Sequence, residues 1–282
     1  MSRVDLSRYD DFFLDCDGVI WEGTKALPGS IATLQHLESL GKRVFFVTNN
    51  STHTQEDVAR KALQLGYPCR PQQVFSSAKA TGLYMLKKHP QVRKIYLIGQ
   101  PAFRRELETL GFSVVHKDDF PDQSIYSLEQ LKSLRPEAGI QAVVVGYQLP
   151  FNYLSAYYAS MCVQSGALLI ASNPDRYLSL RDGVRMPGNG VFVAFLEAAT
   201  DHKAEIVGKP GPFFLEWAQD QYQVTPSRSL MIGDSLETDI AFAKATGMDS
   251  LLVLSGVTNE SRLFSSSIQP TYVLPQLSYL TH

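Results

Sequence analysis

Continuously apolar runs rich in β-branched and aromatic residues recur along the chain at 12–16, 44–48, 95–99, 142–146, 168–172, 230–233 and 251–254. Between them, 31–40, 55–65, 153–164, 213–222 and 237–246 carry helical patterning. Strand and helix signals in alternation predict parallel strands joined by crossover helices, an α/β fold. The runs lack a polar alternate face, as expected of strands covered by helices on both sides. Charged, Pro and Ser residues break the pattern over 117–139, which reads as a surface excursion between two strands. The middle third has strand and helix signals of its own, so an inserted α/β subdomain is expected.

A chain of 282 residues and 31.4 kDa is long for one hydrophobic core, which favours two domains or one with a large insertion. With 44% hydrophobic and 19% charged residues it can bury such a core without invoking disorder. The net charge of -2 and the lack of a basic run argue against nucleic acid as a partner. Residues 1–13 alternate charged and apolar positions rather than forming a signal peptide, and no run reaches membrane-spanning length, so no membrane partner and a cytoplasmic location are expected. Cys16, Cys69 and Cys162 show neither disulfide nor zinc spacing, and the six histidines show no metal-ligand spacing.

Chemistry concentrates where strands end. Phe12-Phe13-Leu14-Asp15-Cys16-Asp17-Gly18 runs from a strand into two carboxylates, which a parallel sheet places at its carboxyl edge, where open α/β sheets bind ligands. Solvated acids at a structural strand end would read the same way. Leu230-Met231-Ile232-Gly233-Asp234 repeats the pattern, and two such ends can converge on a hard cation such as Mg²⁺, with Asp234 as ligand. Asp239, five residues on, reads as a group beside the metal or as charge compensation at a helix start. Thr48-Asn49-Asn50-Ser51 suits phosphate oxygens at a strand-to-helix turn, or simple helix capping. Gly208-Lys209-Pro210-Gly211 holds a cation on constrained backbone, where it can offset a carboxylate and a phosphate dianion.

These four pieces, in this order, resemble the haloacid dehalogenase superfamily. Asp15-Cys16-Asp17-Gly18-Val19-Ile20-Trp21, Thr48-Asn49-Asn50-Ser51, Pro187-Gly188-Asn189-Gly190 and Gly208-Lys209-Pro210 are similar to the 4-nitrophenyl phosphatase group, which includes phosphoglycolate and pyridoxal phosphate phosphatases. The resemblance spans nearly the whole chain and implies a Rossmann-like parallel-sheet core with an inserted α/β cap domain of the C2 type. Core would occupy 1–82 and 186–282, and cap 83–185. It further implies Asp15 as nucleophile, Asp17 as general acid and base, and Mg²⁺ held by Asp15, the Asp17 main-chain carbonyl and Asp234. Thr48, Asn49, Asn50 and Lys209 would hold the phosphoryl group of a small phosphorylated metabolite, and a homodimer through the cap is one option.

In this group substrate choice resides in the cap, which directs attention to Asn173, Tyr177 and Leu178; packing within the cap is the alternative for the last two. Pyridoxal phosphatases carry histidine near the position of Leu178, so the resemblance points to phosphoglycolate or a similar small phosphomonoester before pyridoxal phosphate. A phosphotransferase or phosphomutase would use the same intermediate. A silent binding protein is disfavoured because Asp15 and Asp17 are both present, and a dehalogenase because Asp17 and the metal site suit phosphoryl transfer better. Cys16 lies between the two acids, but strand alternation turns its side chain away, as for a buried structural thiol.

Overall fold

The apolar runs become strands buried along almost their whole length. In the computed structural model, which describes residues 4–119, 127–179 and 184–281, the chain opens with β1 (Asp11–Leu14), β2 (Trp21–Glu22), β3 (Lys25–Ala26), α1 (Ser30–Ser39), β4 (Arg43–Thr48), α2 (Gln55–Gln64) and β5 (Val74–Ser76). There follow α3 (Ser77–Lys88), β6 (Lys94–Ile98), α4 (Pro101–Thr109), β7 (Ser113–His116), α5 (Leu128–Ser133), β8 (Ala142–Val145), α6 (Tyr153–Gln164) and β9 (Leu168–Ala171). Next are β10 (Tyr177–Ser179), β11 (Arg185–Pro187), α7 (Asn189–Thr200) and β12 (Glu205–Ile206). The chain closes with α8 (Phe213–Tyr222), β13 (Ser229–Gly233), α9 (Ala241–Thr246), β14 (Asp249–Val253), α10 (Glu260–Ser265) and β15 (Tyr272–Leu274).

Two compact units result. The first comprises the chain up to Thr48, Gln55–Ser76 and everything from Lys209 on. Its six-stranded sheet has the order β15-β14-β13-β1-β4-β5, and every pairing is parallel. β1 is central, with Leu14 in register with Ile232 on one side and Phe46 on the other. Successive side chains of a strand point to opposite faces, so both faces need apolar cover. Phe12, Leu14, Val44 and Phe46 join a cluster with Trp21 and Tyr67 on one face. On the other, Phe13 meets Phe45 at 5.1 Å, Phe45 meets Phe75 at 5.5 Å, and Phe75 meets Trp217 of α8 at 4.4 Å between ring centroids.

The second unit comprises Asn49–Thr54 and Ser77–Gly208. A parallel sheet of order β12-β9-β8-β6-β7 forms its centre, around Tyr96, Val143, Val145, Tyr158 and Phe192, and β10 and β11 form a separate antiparallel pair. This unit begins earlier and ends later than the expected 83–185. The reason is packing: α3 approaches the end of α4 so closely that a Cβ on Gly82 would lie 2.4 Å from Leu110, while β12 pairs with β9. Residues 120–126 of the irregular stretch lie outside the described residues, and after them Ser127 caps α5 by accepting the Gln130 N–H. Among the described residues no helix is long and apolar enough to cross a membrane.

Candidate active site

Because β1, β4 and β13 are parallel neighbours, the residues that follow or end them share one edge of the sheet: Asp15, Thr48 and Asp234. The Asp15 N–H continues the ladder to the Ile232 carbonyl at 2.8 Å, which fixes its backbone. Lys209 reaches the same edge. Its Nζ donates to Asp15 Oδ1 at 2.6 Å and to the Val47 carbonyl at 2.8 Å, and pairs with Asp239 Oδ1 at 2.7 Å. The other Asp239 oxygen accepts the N–H groups of Asp234 at 3.1 Å and Ser235 at 3.0 Å. Asp239 therefore ties Lys209 to the turn after β13, using both oxygens. This is more specific than charge compensation at a helix start, and the segment opens as a π-helical turn, Leu236–Ile240.

Asp234 is held from a different side. Its Oδ2 accepts the Val257 N–H at 2.7 Å, in the loop that follows β14. That loop has no room for a side chain at Gly256, where a Cβ would lie 1.8 Å from Asp234 Oδ2. Gly18, at φ +82°, would place a Cβ 2.5 Å from the same oxygen, and the Ser255 hydroxyl donates to the Gly18 carbonyl at 2.7 Å. Two glycines thus let two loops close around one carboxylate. Carboxylate oxygens of Asp15, Asp234 and Asp239 lie within 4.8 Å of one another.

Three acids around one buried cation leave an excess of negative charge, which bears on Asp15 and Asp234. Burial, with Asp239 and Asp234 adding repulsion against the pull of Lys209, raises the Asp15 carboxyl well above the ordinary range. Burial and Asp239 push Asp234 up to about 7, opposed by the Val257 N–H and by Lys209. Burial disfavours the Lys209 ammonium, but Asp15 and Asp239 outweigh it and hold its pKa above that of an ordinary lysine. Cys16 is buried and unpaired in any disulfide, and burial together with Asp15 and Asp17 pushes its thiol well up, as befits a structural residue.

The remaining predicted residues are placed as follows. Asp17 is exposed and forms an ion pair of 3.7 Å with Lys61. Thr48 is buried at the end of β4. Asn49 and Asn50 belong to the second unit: Asn49 Nδ2 donates to Asp175 at 3.0 Å, while Asn50 Oδ1 accepts from the Thr52 N–H and hydroxyl. Asn173 is buried; its amide donates to the Asn49 carbonyl at 2.7 Å and its oxygen accepts the Asp175 N–H at 3.1 Å. It is thus a brace for Asn49. Tyr177 and Leu178 lie on β10, where the Arg185 guanidinium covers the Tyr177 ring at 4.2 Å and Leu178 is exposed. Lys61 and the Gly256–Val257 loop were not predicted. A strand end followed by Ser-Gly at 255–256 would have pointed to the loop; nothing local marks Lys61.

Comparison with known proteins identifies the family of the chain. A family model described as haloacid dehalogenase-like hydrolase matches residues 12–113, and a second, of HAD-hydrolase-like proteins, matches 206–280. Phosphoglycolate phosphatase 1A, chloroplastic, of Arabidopsis thaliana is 36% identical over 278 residues, covering 97% of this chain and 76% of that protein. The chain belongs to the haloacid dehalogenase-like hydrolases. Among solved structures, the 4-nitrophenylphosphatase of Thermotoga maritima superposes with a TM-score of 0.84 at 28% identity, covering 98% of both chains. The glycerol phosphate phosphatase of Mycobacterium tuberculosis in complex with magnesium gives 0.82 at 26% identity, covering 98% of this chain and 77% of that one. Within the family, this haloacid dehalogenase-like hydrolase is a phosphoric monoester hydrolase related to these phosphatases.

Proposed function

We propose that this hydrolase is a Mg²⁺-dependent phosphatase of small phosphomonoesters that carries the phosphoryl group on Asp15. One observation carries the reading: the Asp15 carboxylate is held at 2.6 Å by a buried Lys209, on the sheet edge it shares with Asp234. A carboxylate is a competent nucleophile once the charge of its target is offset, and Lys209 is the protein's own offset. An Asp15 oxygen attacks phosphorus, the bond from phosphorus to the ester oxygen breaks, and Asp17 gives that oxygen a proton. Asp17 then takes a proton from water, whose oxygen attacks the same phosphorus and frees Asp15. Thr48, with Asn49 and Asn50 directly after it in the chain, binds the phosphoryl oxygens.

A hard divalent cation fits the donor set, because the three clustered carboxylates are all oxygen donors and two are held above their ordinary range by burial and mutual repulsion. Asp15, Asp234 and the Asp17 main-chain carbonyl would hold Mg²⁺, which there supplies electrostatic stabilisation of phosphoryl charge. The related protein from M. tuberculosis is described in complex with magnesium. Relatives named for phosphoglycolate, glycerol phosphate and 4-nitrophenyl phosphate share a small phosphomonoester as substrate. In this reading the second unit is a C2-type cap, and Tyr177 and Leu178 contribute to substrate choice.

Phosphate release across a panel of small phosphomonoesters tests the reading: activity is expected with Mg²⁺, to vanish in excess chelator and to return when Mg²⁺ is restored. Full activity in chelator would refute it. Gly256→Ala forces the Asp234 carboxylate from its place and is expected to raise the Mg²⁺ concentration for half-maximal activity at least about tenfold. An unchanged requirement would remove Asp234 from the metal site.

A pH effect follows from Asp234. Its folded pKa of about 7 lies above the unfolded value of 3.8, so chelated protein binds more protons folded than unfolded between these values. Its contribution to stability is therefore fully present below about pH 4 and lost as pH rises through about 7. Chelated wild type should lose at least about 4 °C more in Tm than Asp234→Asn between pH 5 and pH 7.5, with Mg²⁺ recovering the loss. Parallel Tm profiles would contradict the assignment.

A further inference from the structure

Asp17 carries the proton in the reaction proposed above, yet its side chain is 57% exposed, and an exposed aspartate has several rotamers to choose from. What limits that choice lies on α2. Lys61 Nζ stands 3.7 Å from Asp17 Oδ1 and 4.3 Å from the centroid of the Trp21 ring. Trp21 is fixed: it is 2% exposed, meets Phe46 at 6.0 Å edge-on, and joins the Asp17 segment through the Gly18 N–H to the Trp21 carbonyl at 2.8 Å. The Trp21 main-chain N–H returns to the Cys16 carbonyl at 3.2 Å, so the loop carrying Asp17 closes on the main chain of the residue whose indole Lys61 covers. Val58, Ala59 and Ala62 anchor α2 from its buried face. A lysine is long and flexible; the indole face turns it into a fixed charge.

We propose that Lys61, clamped on Trp21, is a positioning residue that sets the orientation of the Asp17 carboxyl for proton transfer to the leaving oxygen. The inference rests on the reading of Asp17 as general acid. Orientation of a proton donor matters most when the leaving oxygen is strongly basic. Release of an alkoxide needs the proton in the transition state, whereas 4-nitrophenolate leaves largely without it. Loss of a well-aimed acid therefore slows alkyl phosphates selectively, and a general defect of folding or phosphate binding slows both substrates together.

The experiment compares kcat/KM for glycerol phosphate and 4-nitrophenyl phosphate, at saturating Mg²⁺, in wild type, Lys61→Met, Lys61→Arg and Asp17→Asn, each checked for a wild-type Tm. Lys61→Met keeps the apolar stem over Trp21 and removes the charge. It is expected to lower the glycerol phosphate value at least about tenfold and the 4-nitrophenyl phosphate value less than about threefold. Lys61→Arg, which can pair with the carboxylate and stack on the indole, should restore the ratio to within about threefold of wild type. Asp17→Asn should shift the ratio in the same direction and further. If Asp17→Asn shifts it and Lys61→Met does not, or if Lys61→Met lowers both substrates equally, the positioning role is overturned and the general acid stands. If Asp17→Asn itself leaves the ratio unchanged, the reading of Asp17 fails and the role of Lys61 with it.

Discussion

Asp15→Asn is expected to abolish release of phosphate from 4-nitrophenyl phosphate, by at least about a thousandfold in kcat, while the protein stays folded with a Tm near that of wild type. The amide has almost the same shape as the carboxylate, so the strand end, the ladder bond to Ile232 and the packing around them are preserved. Its oxygen can still accept from Lys209, which also keeps its bond to Val47 and its ion pair with Asp239. What the amide lacks is a nucleophilic oxygen. Removing a charge that burial already opposes also means that no large loss of stability accompanies the loss of activity. Steady-state phosphate release and thermal unfolding on the same preparation check both halves. Residual turnover within about tenfold of wild type would exclude Asp15 as the nucleophile.

The sequence discloses those parts of this fold whose signal is local. β1, β4, β8 and β13 are buried on both faces, so each appears as an unbroken apolar run. β5 and β15 have three residues each and β12 has two, too few for any period to register, and their place at sheet margins is set by partners distant in the chain. α7 is strongly apolar and follows Pro187-Gly188, where turn chemistry masks the helix start. The site divides along the same line. Asp15, Thr48 and Asp234 are legible because each ends or follows a strand. Asp239 is legible as a group beside the metal or as an acid at a helix start, but its pairing with Lys209 is not, since it joins two segments that the fold alone brings together. Asn173 reads in the sequence as a residue of substrate choice; in the fold its amide donates to the Asn49 carbonyl, a partner that sequence cannot supply.

The pairing of Lys209 with two acids leads to the largest expected effect on stability. Lys209 is 1% exposed, and its ammonium is shared among Asp15, Asp239 and the Val47 carbonyl. Lys209→Met fills nearly the same volume but leaves Asp15 and Asp239 close together in a buried place with no cation between them. Breaking a buried pair by removing one partner costs about 3–5 kcal/mol, because the remaining charge is left without compensation. Here two charges remain, and the nearby Asp234 adds a third. The carboxyls can escape the cost only by binding protons, so the loss should be small near pH 4 and grow as pH rises toward neutrality. In chelated protein at pH 7.5, Lys209→Met is expected to lose at least about 3 kcal/mol in denaturant unfolding, and to have no measurable turnover when Mg²⁺ is restored. The double variant Lys209→Met, Asp239→Asn separates the causes. It removes one of the stranded charges while keeping the oxygen that accepts from Asp234 and Ser235, so it should regain a large part of the stability and none of the activity. If Lys209→Met unfolds within about 1 kcal/mol of wild type, or if the double variant is no more stable than the single, the ammonium is not the charge that holds this acidic cluster together.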